Sequence, residues 1–228
     1  AIAKKLDRKL LIDNETSFKS KKNISKYGLI EIFKALSVEI FYLFRIKDFK
    51  SWIHDDKFTD SYQDTKNENN YNTQHTPTPY YFLSFASKFL KQNNIDNFVL
   101  SDFGCGYGRI GKFFINQFNC IFYGMDINNE MIEDIKKDNI NNFYLFTINL
   151  RNKIERQKIF DQIKSHQKTI VLFISDAFDI NTINEIIKYF NDIDHYLIGV
   201  NIKDLKDLLP GYLKVNTKEF NDKSRHIF

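Results

Sequence analysis

The stretch Asp102-Phe103-Gly104-Cys105-Gly106-Tyr107-Gly108 decides the fold of this chain. An apolar run at 98–100 precedes it and an amphipathic run at 110–118 follows, which predicts a strand, a glycine-rich turn and a helix. Glycines at alternate positions let the backbone turn tightly beside a ligand, because no Cβ stands in the way. A second apolar run, 121–125, ends in Asp126. A carboxylate at that distance can accept hydrogen bonds from the two hydroxyls of a ribose.

Two interpretations of the turn compete. Gly106-x-Gly108-x-x-Gly111 satisfies the dinucleotide-binding fingerprint, whereas Asp102-x-Gly104-x-Gly106-x-Gly108 resembles motif I of class I S-adenosylmethionine (SAM) methyltransferases. The first would place Ser101, Asp102 and Gly104 inside a buried parallel strand, where apolar runs are the rule. The second places the Asp102 carboxylate at the strand tip, within reach of a methionine amino group. This position favours SAM over a nicotinamide or flavin. A turn needed only for helix–strand packing is the third alternative.

Strand and helix patterns alternate from residue 98 onward. The predicted strands are 98–103, 121–126, 143–149, 169–175 and 195–200, and the predicted helices lie near 108–118, 128–138, 153–165 and 180–191. This alternation predicts an α/β fold, with a Rossmann-like parallel sheet and helices on both faces. Ligands of such sheets bind at the carboxyl ends of the strands, where Asp102, Asp126, Asn149 and Ser175 all fall. Two further segments, 212–217 and 225–228, are predicted to form a hairpin.

Residues 1–75 are predicted to be an N-terminal extension, and residues 76–228 the ligand-binding domain. Residues 1–26 carry eight basic and three acidic side chains, a net charge of +5, so the remainder carries −1 of the overall +4. The apolar stretch 29–49 is long enough to cross a bilayer, but charged side chains within it, Glu31, Lys34, Glu39 and Arg45, would be costly there. It is therefore predicted to be an amphipathic helix that packs on the domain or on a partner, with a membrane interface as the alternative. The polar residues 54–76 mark the border.

Composition argues against several classes of protein. Cys105 and Cys120 are too few for a disulfide framework, and no His, Asp or Glu group has metal-ligand spacing, so no metal site is expected. Two reduced thiols predict a cytoplasmic protein. The main domain has no basic field for nucleic acid, and no nucleic-acid partner is expected. Residues 1–49 are the candidate contact surface for a membrane or a protein partner.

Four elements resemble a bacterial group of class I methyltransferases that is distantly similar to histone lysine methyltransferases of the disruptor-of-telomeric-silencing type. These elements are Tyr62-Gln63-Asp64-Thr65, His75-Thr76-Pro77-Thr78, residues 102–109 and Ser175-Asp176-Ala177-Phe178-Asp179. The resemblance covers roughly residue 58 to the end of the chain. It implies SAM as the cofactor and an antiparallel last strand, whereas the N-terminal helical extension is predicted from the apolar stretch 29–49.

The resemblance also implies a set of cofactor-binding residues. The methionine half of SAM would be held by Asp102, Gly104, Cys105, Gly106, Tyr107 and Gly108, with Thr78 on the loop that closes over it. Asp126 would bind the ribose and Ile127 would lie against the adenine. Asn149, followed by Leu150, stands where the family has an acidic residue near the adenine amino group. Ser175 lies at the acceptor side of the site.

Two departures from the family pattern concern the acceptor. His75 replaces a tyrosine, and Ser175-Asp176-Ala177 replaces an Asn-Pro element. Asp176 and His75 are the candidate catalytic residues, because a base helps when the acceptor is a hydroxyl. The predicted function is SAM-dependent methyl transfer to a small molecule or carbohydrate, at a hydroxyl. The alternatives are a protein lysine methyltransferase and a non-catalytic SAM-binding partner subunit.

Overall fold

The computed structural model describes residues 28–50, 77–175, 178–200, 216–220 and 223–227. Within these ranges seven strands form one sheet in the order β3-β2-β1-β4-β5-β7-β6. The strands are β1 (Phe98–Phe103), β2 (Ile121–Asp126), β3 (Phe143–Thr147), β4 (Thr169–Ser175), β5 (His195–Val200), β6 (Asn216–Phe220) and β7 (Lys223–Ile227). Strands β1 to β5 are parallel, and β7 pairs antiparallel with both β5 and β6. The predicted sheet with its antiparallel last strand is confirmed.

Six helices within the described residues pack around this sheet. They are α1 (Gly28–Ile46), α2 (Tyr80–Gln92), α3 (Arg109–Ile115), α4 (Asn129–Lys136), α5 (Lys153–Ser165) and α6 (Ile180–Phe190). Three of them begin after an Asn or Asp whose side chain accepts hydrogen bonds from the first turn, namely Asn128, Asn152 and Asp179. Such caps satisfy backbone N–H groups that have no partner within a helix, and so they fix where each helix begins.

Strand β1 lies at the centre of the sheet, and all six of its residues are buried. Alternate side chains point to opposite faces, so Phe98 and Leu100 join one apolar cluster while Val99 and Phe103 join the other. The first cluster packs under α2, α3 and α4, and the second packs under α5 and α6. After β3 the chain crosses β1 to form β4, which makes the carboxyl end of β1 the topological switch point.

Most predicted boundaries agree with the structure, and the differences lie at element ends. Strand β3 ends at Thr147, two residues before the predicted end, because Asn149 already belongs to a turn closed by a hydrogen bond from Asn152 N–H to its carbonyl. Helix α3 ends at Ile115 rather than near residue 118. The C-terminal hairpin is present, with its first strand at Asn216–Phe220 instead of 212–217.

Helix α1 is the predicted amphipathic helix, and it packs on the domain. The Tyr42 ring lies against the rings of Tyr80 and Phe113, with centroids 5.6 and 4.8 Å away. Glu39 accepts a hydrogen bond from Tyr81 N–H at 3.0 Å. It thereby caps the first turn of α2, because Pro79, the residue before the helix, has no side chain that could do so. No helix in the described part of the chain combines the length and the apolar character needed to cross a bilayer.

Gly111 allows α3 to approach the sheet closely, and we expect Gly111→Ala to lower the free energy of unfolding by about 1 kcal/mol. A Cβ at this position would lie 2.6 Å from the buried Phe122 ring, and overpacking of this kind typically costs about 1–3 kcal/mol. The better helix propensity of alanine offsets roughly 1 kcal/mol of that cost. Urea unfolding checks the prediction. A variant as stable as the parent would mean that the Phe122 ring moves aside freely.

Candidate functional site

The glycine turn after β1 has the backbone expected if Gly104 opens the turn and Asp102 ends the strand. Gly104, Gly106 and Gly108 have φ values of 82°, 51° and 69°, a region that L side chains rarely adopt. Gly104 follows directly on β1 and opens the turn, whereas Gly108 caps the start of α3. The Asp102 carboxylate therefore lies at the tip of a strand and beside the turn.

The turn is fixed to the carboxyl end of β2 by its own N–H groups. Gly104 N–H and Cys105 N–H both donate to the Met125 carbonyl, at 2.8 and 3.0 Å. Gly106 N–H donates to Asp126 Oδ2 at 2.8 Å, and Gly108 N–H donates to the Cys105 carbonyl at 2.8 Å. These four donors are thus used within the protein. The turn offers a ligand close backbone approach rather than a row of N–H groups.

Asp102 is a buried carboxylate with an oxygen that lacks a partner. Its side chain lies on the face of the sheet covered by α2 and α3, and the residue is only 3% exposed. Among the described residues, nothing donates a hydrogen bond to its Oδ2 atom. Burial raises the pKa of the carboxyl well above its usual value of 3.8, and the negative charge of Asp126 raises that pKa further. A cationic group placed here would satisfy the oxygen and restore its charge.

Asp126 lies at the end of β2, where it was predicted, and its side chain also holds the neighbouring backbone. Its Oδ2 accepts the Gly106 N–H, and its Oδ1 accepts the Asn128 N–H at 2.9 Å. Burial raises the pKa of the Asp126 carboxyl, although the hydrogen bonds from Asn128, Gly106 and Ile127 oppose this shift. The next side chain, Ile127, is 40% exposed. This edge of the sheet therefore presents a carboxylate beside an apolar surface.

Cys105 and Tyr107 lie in the turn with buried side chains. Both belong to the core cluster under α2, α3 and α4. Burial raises the pKa of the Cys105 thiol, and the charges of Asp126 and Asp102 raise it further, so this thiol is not an activated nucleophile. Burial also raises the pKa of the Tyr107 hydroxyl. Their side chains support the turn from inside, and their backbone faces the edge of the sheet.

Asn149 and Leu150 lie in the turn after β3. Asn149 Oδ1 accepts a hydrogen bond from Arg151 N–H at 3.0 Å. Leu150 is buried in the second core cluster, and its carbonyl accepts a hydrogen bond from Arg156 Nη1 at 2.8 Å. Any ligand contact of Leu150 would therefore involve its backbone.

A hydrogen-bond network that the sequence did not predict connects Thr78 to the start of α3. The Thr78 carbonyl accepts a hydrogen bond from Arg109 Nη1 at 3.4 Å, and Arg109 Nε donates to Asp48 Oδ2 at 3.2 Å. The Tyr80 hydroxyl donates to the same Asp48 oxygen at 2.9 Å, and its ring lies 4.5 Å below the guanidinium. The network joins the segment after α1, the loop before α2 and the first residue of α3.

Three more charged side chains extend this network. Lys112 Nζ lies 3.8 Å from Asp48 Oδ1 and 2.8 Å from Asp138 Oδ2, and Glu39 Oε2 lies 3.5 Å from Arg109 Nη1. Asp48 and Arg109 are 1% and 5% exposed, so these charges are paired inside the protein. Arg109 is thus a helix-start residue that bonds its neighbours, as its position in the sequence suggests.

The carboxyl end of β4 is described only in part. Strand β4 ends at Ser175, whose side chain lies outside the described residues, as do Asp176, Ala177 and His75. Asp179 caps α6, and its Oδ1 accepts a hydrogen bond from Thr182 N–H at 3.0 Å. This hydrogen bond is the main cause that lowers the pKa of the Asp179 carboxyl, and Arg151 Nε lies 3.3 Å from its Oδ2.

Comparison with known proteins supports the fold. A solved structure of a point mutant of MtNAS superimposes with a TM-score of 0.50, covering 92% of this chain and 80% of its own, at 11% sequence identity. The likeness concerns the fold, a Rossmann-like and mostly parallel sheet with helices on both faces. No protein-family model matches the sequence, and no curated protein does.

Two methyltransferase complexes with S-adenosylhomocysteine (SAH) are also similar. The plantazolicin methyltransferase BpumL, with a triazolic desmethylPZN analogue and SAH, has a TM-score of 0.40 at 20% identity over 74% of this chain. Coclaurine N-methyltransferase, bound to N-methylheliamine and SAH, has a TM-score of 0.39 at 13% identity over 59% of this chain. The matches span 61% and 38% of those two proteins. At these identities the likeness concerns the fold and leaves the acceptor open.

Proposed function

We propose that this chain is a SAM-dependent methyltransferase that binds its cofactor at the glycine turn and methylates a small-molecule or carbohydrate hydroxyl. The observation that carries the proposal is the buried Asp102 oxygen without a partner, among the described residues, at the carboxyl end of β1. A buried polar atom of this kind is costly unless a ligand satisfies it. The methionine moiety of SAM carries an ammonium group that suits it.

Electrostatics supports SAM over a dinucleotide. A pyrophosphate needs free N–H groups at the turn and positive charge nearby. Here the N–H groups of Gly104, Cys105 and Gly106 are used within the protein, and two carboxylates face the turn. The guanidinium of Arg109 is paired with Asp48 and does not offset them. The site therefore disfavours an anionic ligand and favours a cationic one.

The remaining cofactor contacts follow from the same edge of the sheet. Asp102 and the glycines would hold the methionine half, and Asp126 would receive the ribose hydroxyls. The exposed Ile127 side chain would cover one face of the adenine, and Asn149, in the turn after β3, would lie near its amino group. Thr78 lies beside the start of α3, consistent with a loop near the methionine end.

Methyl transfer depends mainly on how the acceptor is aligned with the methyl group. When bound, SAM supplies a methyl group on a sulfonium, activated for direct displacement. The protein aligns the acceptor with that methyl group, and alignment can supply about 7–11 kcal/mol of the barrier at best. Asp176 or His75 would take the proton of a hydroxyl acceptor. A lysine acceptor in a protein, or a partner subunit that binds SAM without catalysis, remains the alternative assignment.

Calorimetry with SAM, SAH and NADH tests the cofactor, and transfer of labelled methyl groups tests the reaction. We expect binding of SAM and SAH and no binding of NADH, whereas NADH binding alone would contradict the proposal. Methylated products are expected from a panel of metabolites and glycans. Methylation of lysine peptides alone would support the protein methyltransferase. SAM binding with no product from either panel would support the non-catalytic subunit.

Asp126→Ala is expected to weaken SAH binding by about 1–3 kcal/mol, or roughly 5- to 150-fold, through loss of a charge-assisted hydrogen bond to the ribose. Part of the loss would come from Gly106, whose N–H loses its acceptor. Calorimetry measures the change. Asp192→Ala is the matched control, because that exposed carboxylate pairs with Lys164 just before β5, at the opposite edge of the sheet. Equal affinity for SAH in the parent and in Asp126→Ala would contradict the ribose assignment.

A further inference from the structure

Helix α1 has two apolar faces, and only one of them packs on the described part of the protein. The inner face contributes buried Ala35 and Leu43, with Val38, Tyr42 and Ile46 against the core. The opposite side of the helix carries large apolar side chains in solvent, namely Phe33 (63% exposed), Leu36 (52%), Ile40 (55%), Phe41 (55%) and Phe44 (66%). We call these five residues the outer face.

The outer face is a continuous stripe. Its residues recur at spacings of three and four, which places them on one side of a helix over three turns. Phe49, 37% exposed, extends the stripe past the end of α1, because its ring lies 5.5 Å from the ring of Phe44. Single exposed apolar residues are common on protein surfaces, but a contiguous row of this size marks a contact surface.

Basic charge borders the outer face. Arg45 and Lys47 are exposed at its C-terminal end, and the Arg45 guanidinium lies 5.8 Å from the Phe41 ring centroid. Residues 1–26, which lead into α1, carry a net charge of +5. An apolar stripe with basic residues beside it is the pattern of a helix that lies in the plane of an anionic membrane surface.

We propose that the outer face docks on an anionic lipid bilayer, with α1 lying in the interface and the basic residues on the headgroups. The apolar side chains would enter the acyl boundary, while Tyr42 and Glu39 keep the helix attached to the domain. A second copy of the chain is the poorer occupant. Two outer faces brought together would also bring together two segments of charge +5, and like charges disfavour association.

Flotation of the full chain with vesicles tests this proposal. Vesicles of equal parts phosphatidylglycerol and phosphatidylcholine are compared with pure phosphatidylcholine, at low and high salt. We expect binding to the anionic vesicles that weakens with salt, because screening removes the headgroup attraction. Phe44→Asp should lower the partition coefficient for the anionic vesicles at least about tenfold, since one buried Phe is worth that factor in an equilibrium constant. Ile154→Asp is the matched control, because Ile154 is 76% exposed on α5, away from α1.

Four outcomes would overturn the proposal, three from binding and one from stability. The first is no preference for anionic vesicles. The second is equal loss of binding in Phe44→Asp and Ile154→Asp. The third is a parent chain that forms dimers in sedimentation and ignores vesicles, with Phe44→Asp abolishing the dimer. Unfolding curves of both variants exclude misfolding. A large drop in the stability of Phe44→Asp alone would place the outer face inside the protein and would also overturn the proposal.

Discussion

Asp102→Asn should weaken SAM and SAH binding by roughly 100-fold while leaving the free protein at least as stable. The loss corresponds to about 3 kcal/mol, the upper range for a hydrogen bond to a charged group. Stability should not fall, because Asp102 Oδ2 has no hydrogen bond to lose among the described residues and because the carboxyl is near the charge of Asp126. Calorimetry measures the affinity, and urea unfolding measures the stability.

The same variant should change how binding depends on pH. Burial raises the pKa of Asp102, so between the usual 3.8 and the raised value the free protein holds a proton that the complex releases. Affinity for SAH should therefore rise with pH, by up to about tenfold per unit, and level off above the raised pKa. Asp102→Asn should remove the part of this dependence that comes from Asp102, and Asp126, whose pKa burial also raises, would contribute what is left.

The stability of the free protein has the opposite dependence on pH. A carboxyl with a raised folded-state pKa contributes stability that is fully present below its unfolded pKa. That contribution is lost as pH rises through the folded pKa. The free energy of unfolding of Asp102→Asn should therefore exceed that of the parent only as the pH approaches the raised pKa of Asp102.

Ser101→Ala is the matched control for Asp102→Asn. Ser101 is fully buried, precedes Asp102 in β1 and points to the other face of the sheet. Like Asp102 Oδ2, its Oγ has no hydrogen-bond partner among the described residues. The two positions therefore differ mainly in the face of the sheet that the side chain occupies and in its charge. If Ser101→Ala lost as much affinity as Asp102→Asn, the ammonium assignment would be wrong and general damage to β1 would explain both.

Asp48→Ala should lower the free energy of unfolding by about 3–5 kcal/mol, because removing one partner leaves a buried charge uncompensated. Arg109 and the Tyr80 hydroxyl would both lose their bond to Asp48 Oδ2, and Lys112 would lose a nearby carboxylate. The Thr78 carbonyl and Glu39 would still contact Arg109, which keeps the loss below that of an isolated charge. Denaturant unfolding gives the value.

Glu133→Ala provides the comparison for Asp48→Ala. Glu133 also pairs with a cation, Lys136, but on the surface of α4 with both side chains about half exposed. Exposed pairs are worth roughly 0–1 kcal/mol, so this variant should unfold nearly with the parent. Similar losses in the two variants would mean that the Asp48 network is as weak as a surface ion pair.

The sequence was sufficient for the sheet and for the turn, because both leave local signals. Alternating apolar runs set the strands, and the position of Asp102 relative to Gly104 correctly predicted where β1 ends. The end of β3 was predicted two residues late, since Asn149 fits a strand end by position but closes a turn through its backbone. Whether such a residue continues a strand or begins a turn depends on local hydrogen bonds, which a sequence pattern does not reveal.

Long-range pairing was not predictable from the sequence. Asp48 lies 61 residues before Arg109, and nothing near it in the sequence distinguishes it from a solvated aspartate. The missing partner of Asp102 Oδ2 among the described residues likewise depends on what surrounds β1 after folding. The proposed roles of Asp176 and His75 stay predictions, because both residues lie outside the described ranges.

The pairing of Asp48 with Arg109 bears on how the protein could be shortened. A fragment starting at residue 76 would keep strands β1 to β7 and the glycine turn. It would lack both carboxylates that contact the Arg109 guanidinium, Asp48 and Glu39, together with the Tyr42 ring that covers Phe113. Such a fragment would lose these contacts to Arg109, the first residue of α3. Residues 28–50 therefore belong in any shortened version of this chain.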